Sequence, residues 1–155
     1  MQFTKMPVSK AAMLIRKPAA EVYEAFVNPA ITTKFWFTKS SGRLEVGKEV
    51  IWAWEMYNVS ATVQVKSLDE NKRILIEWDG NNGQTTVEWI FKAQPNGFTY
   101  VEITNSGFGG DGDQMVEEAL DSTGGFTWVL AGAKAWLEHN LQLNLIADSF
   151  ATGIE

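Results

Sequence analysis

The sequence predicts an α+β domain in which a curved antiparallel sheet of about seven strands wraps around one long C-terminal helix, with two short helices between the first and second strands. Three observations predict it. Between Ser122 and Ile146, the residues Phe126, Val129, Leu130, Ala133, Trp136, Leu137, Leu141 and Leu145 recur at three- and four-residue steps, the spacing of one apolar helix face. From Lys48 to Asn105 the chain instead alternates apolar and polar residues, as half-buried strands do. Turn-forming clusters divide these alternating runs at short intervals. A helix of that length extends about 35 Å, and its apolar face needs a partner equally long. The strands supply one, with a pocket expected between the two layers.

Taken in order, Val8 to Arg16 reads as a first strand with an unbroken apolar stretch from Ala11 to Ile15. Pro18 suits the first turn of a helix, and Val22 and Phe26 share one face of the run that follows it. Asn28-Pro29 closes that helix, because a residue before proline avoids the α region. A second short helix is expected from Ala30 to Phe37, ending in Phe35-Trp36-Phe37. A short strand is expected over Arg43–Val46, between Gly42 and Gly47. Lys48 to Met56 then places Val50, Trp52, Trp54 and Met56 on one face, with a turn at Tyr57-Asn58. Val59 to Leu68 carries Val59, Ala61, Val63 and Val65 in step, and Arg73 to Asp79 carries Ile74, Ile76 and Trp78. The strongest turn signal, Gly80-Asn81-Asn82-Gly83, leads to Gln84–Ala93, where Thr85, Val87, Trp89 and Phe91 align. Phe98 to Asn105 is the last strand, with Thr99, Val101 and Ile103 opposite Phe98, Tyr100 and Glu102. A glycine-rich loop from Ser106 to Gly112 and a short helix over Asp113–Leu120 lead into the long helix. No repeat or linker divides residues 1–155, which read as a single domain.

The composition narrows the function classes. The 155 residues carry a formal net charge of −6, which argues against a nucleic-acid partner and against anionic membrane surfaces. No run reaches the ~18 apolar residues that a membrane-spanning helix needs. With no cysteine, disulfides and thiolate chemistry are excluded. The start at Met1-Gln2-Phe3-Thr4-Lys5 lacks the basic and apolar stretches of a signal peptide, so the cytoplasm is the expected compartment. Seven Trp and nine Phe exceed what packing alone asks of a chain this size.

Local words now add a resemblance. Lys17-Pro18-Ala19-Ala20-Glu21-Val22-Tyr23-Glu24-Ala25-Phe26 is followed by Asn28-Pro29-Ala30 and Phe35-Trp36-Phe37. Arg73-Ile74-Leu75-Ile76-Glu77-Trp78 and Thr99 to Phe108 come next, and then Gly124-Gly125-Phe126-Thr127-Trp128 with Lys134-Ala135-Trp136-Leu137-Glu138. In that order they resemble the START-like (SRPBCC) superfamily of helix-grip proteins, and within it the AHSA-like family named after the activator of the heat-shock ATPase. Phe126 stands where the family commonly has Trp after the glycine, a change of size more than of character. The resemblance implies a cavity between sheet and long helix. It does not imply one chemistry, because the superfamily hosts lipid carriers, hormone receptors and polyketide cyclases.

Each tryptophan alone reads as core packing. As a group, rings on the inward strand faces suit a pocket for an apolar or aromatic ligand. The candidate ligand-binding residues on the sheet are Trp52, Trp54, Met56, Trp78 and Trp89. Those expected around the mouth are Trp36, Phe37, Phe108, Phe126 and Leu130, with the Ser106–Gly112 loop as a mobile lip. No catalytic set stands out. Glu55, Glu77, Glu88 and Glu102 mostly alternate out of phase with the tryptophans and read as solvent-facing. His139 is the sole histidine and, without cysteine, offers no metal set; no metal or cofactor is expected. Asp111, Asp113, Glu117 and Glu118 lack calcium-loop spacing and read as a solvated, helix-capping acidic loop. Gly107-Phe108-Gly109-Gly110-Asp111-Gly112 follows an antiparallel strand, so it is not a dinucleotide fingerprint.

The expected function is therefore binding of a small hydrophobic or aromatic molecule, without catalysis. The alternatives are a cyclase or aromatase using the same cavity, with Tyr57, Glu55 or His139 moving protons, and a co-chaperone that stimulates a chaperone ATPase. The resemblance also admits a homodimer, though no residue marks its interface.

Overall fold

The computed structural model describes residues 3–150. Its strands are β1 (Ser9–Ile15), β2 (Lys39–Ser40), β3 (Glu49–Trp54), β4 (Val59–Asp69), β5 (Arg73–Gly80), β6 (Gly83–Ala93) and β7 (Thr99–Ser106). All seven join one antiparallel sheet in the order β1-β7-β6-β5-β4-β3-β2. The chain crosses from β1 to the far edge through two helices, α1 (Ala19–Val27) and α2 (Pro29–Thr32), then returns strand by strand. Cross-strand pairing sets Val65, Ile76, Val87 and Asn105 in one inward row, and Ile74, Trp89, Ile103 and Ala11 in the next. All eight are buried, as a side-chain period of two requires. The glutamates fall outward as expected, where Arg73 Nε meets Glu88 at 2.6 Å and Lys92 Nζ meets Glu102 at 3.1 Å. A register shift between Val65 and Ser67 interrupts the β4–β5 ladder, the kind of irregularity that bends a strand.

Three local expectations are corrected. The second short helix stops at Thr32 instead of reaching Phe37, and Phe35, Trp36 and Phe37 are all buried. Arg43–Val46 forms no strand, because Leu44 N–H donates to Val27 O at 3.1 Å and ties the segment to the end of α1. The second strand is instead β2, which pairs with Trp52 and Ala53. Strand β3 ends at Trp54, where Glu55–Tyr57 turns as a 3₁₀ segment and Asn58 adopts φ 53°.

The long helix, α3 (Gly112–His139), absorbs the short helix expected before it and stops seven residues earlier than Ile146. Its start is a capping box: Asp111 Oδ1 accepts from Gln114 N, and Gln114 Oε1 accepts from Asp111 N, each at 2.9 Å. At its end Asn140 takes φ 54°, a left-handed stop, and Leu141 N–H donates back to Ala135 O at 3.2 Å. Leu141 and Leu143 are consequently exposed, and Ile146 returns to the core from an irregular segment. Tertiary packing carries the helix through Gly124-Gly125, since Phe126, Val129, Leu130 and Ala133 are buried just beyond. Gly132 lets it approach α2's exit closely, where an added Cβ would lie 3.1 Å from Phe35 Cβ.

The C-terminal end of α3 is clasped to the end of β1. Lys134 Nζ donates to Leu14 O at 2.8 Å and to Glu138 Oε2 at 2.7 Å, and Arg16 N–H donates to the same carboxylate oxygen at 2.8 Å. Burial pushes the Glu138 pKa up, but the Lys134 and Arg16 hydrogen bonds outweigh it and hold the group below its ordinary value. A depressed folded-state pKa contributes stability that is present above the unfolded value and is lost as pH falls through the folded one. Glu138→Gln is therefore expected to lower unfolding free energy by about 1–2 kcal/mol at pH 7. Urea melts should show the two proteins converging as pH drops below about 4.

Candidate functional site

Helix α3 packs chiefly along β1 and β7, at one side of the sheet. Its N-terminal half stands off the strands at the other side. There a solvent-open cavity of about 870 Å³ remains, bounded by α3 from Glu118 to Val129 and by the ends of β3, β4 and β5. Asn105 of β7 and the segment Ile146–Phe150 complete its wall.

One end of the cavity is aromatic. Trp36, Trp54, Trp78 and Phe126 line it. Trp36 sits at their centre, with ring centroids 6.2 Å from Trp54, 6.0 Å from Trp78 and 5.8 Å from Phe126. Trp78 and Phe126 stack across the gap between sheet and helix at 6.0 Å and 30°. Of the sheet and mouth residues proposed from sequence, these four reach the cavity. Trp52 and Phe37 lie behind them, stacked on each other at 4.7 Å and 1% exposed, and Trp89 and Leu130 are equally enclosed. These four belong to the packed core. Met56 leaves the inward face because the strand gives way to the 3₁₀ turn, and it borders a separate hollow of about 80 Å³ under residues 142–147. Phe108 is buried away from the cavity. No residue of the glycine-rich loop borders the cavity, and Gly109 lies against Asn82 of the β5–β6 turn, so close that a Cβ would overlap its carbonyl oxygen.

The other end is polar. Asn105, 4% exposed, donates through Nδ2 to Thr85 Oγ1 at 3.0 Å and to Thr86 O at 2.9 Å, and accepts from Ser122 Oγ at 2.8 Å. Beside it Glu118, 9% exposed, accepts from Asn81 N–H through Oε2 at 3.1 Å. Its Oε1 is buried with no hydrogen-bond partner. Gly80 makes room for this carboxylate, since a Cβ there would overlap Oε2 and lie 2.8 Å from Thr85 Cγ2. Sequence reading placed Glu118 in a solvated acidic loop. The error is one of tertiary proximity, because the β5–β6 turn that covers it lies 37 residues away. The capping role held for Asp111 alone.

The side chains weighed for proton transfer sit poorly for it. Tyr57 borders the cavity, but its hydroxyl lies 2.7 Å from Ile146 O and 2.8 Å from Ala147 O and donates to that pair. Glu55 is exposed on the 3₁₀ turn, and His139 is exposed at the end of α3, 3.8 Å from Glu138. No group of three or more potential metal ligands occurs among the described residues. No helix of the described residues is long and apolar enough to cross a membrane.

Solved structures share this architecture. Protein SSP2350 from Staphylococcus saprophyticus is 28% identical, with a TM-score of 0.75 over 88% of this chain and 95% of its own. The Aha1 dimer from Colwellia psychrerythraea is 20% identical, with a TM-score of 0.73 over 86% of this chain and 98% of its own. CalU16 from Micromonospora echinospora is 14% identical, with a TM-score of 0.68 over 94% of this chain and 90% of its own. No curated protein matches the sequence. The family model described as "Activator of Hsp90 ATPase homolog 1-like protein" matches residues 16–135, most of the chain. The sequence words, the seven-stranded sheet and the gripped helix thus converge, and the chain belongs to this AHSA-like family of the SRPBCC superfamily.

Proposed function

We propose that the protein binds a small apolar or aromatic molecule in the cavity between β3–β5 and the N-terminal half of α3, without converting it. The observation that carries this reading is a cavity of about 870 Å³ walled at one end by Trp36, Trp54, Trp78 and Phe126. Ligand sites commonly fall near 300–1,000 Å³ and pair apolar walls with a few polar groups. Ring faces supply contact area at low conformational cost. Of the side chains weighed for a cyclase-type enzyme, the Tyr57 hydroxyl is engaged by backbone carbonyls, and neither Glu55 nor His139 borders the cavity.

Native mass spectrometry of the purified protein, paired with a Nile red titration followed by fluorescence, tests the reading. A co-purifying small molecule or saturable one-to-one dye binding supports it. A clean apo mass together with no saturable response would overturn it.

A further inference from the structure

The aromatic wall is only part of the cavity's lining. The charged side chains that border it are Asp79, Glu118 and Asp121; no lysine, arginine or histidine does so among the described residues. Asp79 and Asp121 are exposed at the rim, so water screens them. Glu118 is different. It is nine-tenths buried, one oxygen is held by Asn81 N–H, and the other has no partner. A buried acceptor without a donor is costly, and a buried charge more so. Its neighbours offer little relief. Asn105 Nδ2 is spent on Thr85 and Thr86, and Ser122 Oγ on Asn105. Gly80 leaves the carboxyl a cradle that any larger residue would fill. The terminal torsion of a glutamate is broad, so the unpaired oxygen of this cavity-lining side chain can turn to meet a donor brought by a ligand.

We infer that the cavity is bipolar and selects a ligand with an aromatic or apolar body and a protonated amine, the body against Trp54, Trp78 and Phe126 and the ammonium group on Glu118. This rests on the binding reading above and gives it a ligand class. The rim carboxylates favour the same sign of charge and disfavour anionic ligands, and indole faces accept a cation as readily as an apolar ring. The polar pole thus acts chiefly as a selector, with the aromatic wall supplying contact area.

Three probes with one skeleton separate the contributions: 2-(2-naphthyl)ethylamine, 2-(2-naphthyl)ethanol and 2-naphthylacetate, each titrated calorimetrically at pH 7 and in competition with Nile red. The wild-type protein should bind the amine about tenfold or more tighter than the acetate, with the alcohol between. Only the amine brings a positive charge as well as a donor to Glu118; the alcohol brings a neutral donor, and the acetate brings a like charge and no donor. Glu118→Gln should remove most of the amine's advantage over the alcohol. Equal affinities for the three probes in the wild type would overturn the inference while leaving the container intact. An amine preference that survives Glu118→Gln would also overturn it, and would assign selection to the rim. Should the Glu118 variant fail to fold by circular dichroism, Asp79→Asn combined with Asp121→Asn decides: an amine preference that survives these rim changes supports Glu118, and one that they abolish overturns the inference. Failure of Nile red and all three probes to bind would instead bring down the container reading, and the inference with it.

Discussion

Trp36→Ala is expected to lower the unfolding free energy by about 3–5 kcal/mol, a large share of the roughly 5–15 kcal/mol that holds a domain together. Trp36 is 7% exposed and its ring lies within 6.2 Å of six others: Phe37, Trp52, Trp54, Trp78, Trp89 and Phe126. These rings come from β3, β5, β6 and α3 as well as from the segment after α2. One truncation would therefore open a void where the sheet, the long helix and the crossover meet, and those elements cannot all collapse into it. A urea titration reads the effect as a lower midpoint at nearly unchanged slope. A midpoint shift worth less than about 1 kcal/mol would show that Trp36 is cavity lining with little structural weight.

How far the sequence carried this picture differs by element. Alternation identified the inward faces of β5, β6 and β7 correctly, because a strand buried on one face must repeat every second residue. It could not tell which inward residues meet packed core and which meet the cavity. Trp52 and Trp54 share a face, yet Trp52 is 1% exposed and Trp54 half-buried at the cavity wall. The difference is what covers them: Phe37 stacks on Trp52 and Trp36 and Trp78 close round it, contacts made by segments distant in sequence. Periodicity likewise ran past the helix end, since Leu141 and Leu145 continue the three-and-four pattern. The local stop signal was Asn140, a residue that tolerates the left-handed turn it adopts. At the other end, Asp111 and Gln114 spell a capping box, and Gly124-Gly125 obscured the continuity it announces. Glu118 was beyond sequence reading altogether, because nothing near it in the chain says that the Gly80–Gly83 turn folds onto it.

Trp78→Ala should weaken Nile red binding about tenfold or more while leaving a folded protein, and Trp54→Ala should act in the same direction. Both rings line the cavity and are only half-buried, so truncation removes ligand contact without emptying the core behind. Losing most of an indole face forfeits roughly 1–3 kcal/mol of apolar contact, hence the tenfold scale. Trp52→Ala is the discriminating control. Trp52 is stacked under Phe37 and 1% exposed, so its truncation belongs with Trp36 in costing stability first. Fluorescence titrations beside thermal melts would separate the two classes. If Trp78→Ala and Trp54→Ala left the dye affinity unchanged while lowering the melting temperature, these rings would be one continuous core with Trp36 and Trp52. The cavity would then be a surface hollow, and recognition would have to reside on the exposed Leu120 and Trp128 at its rim.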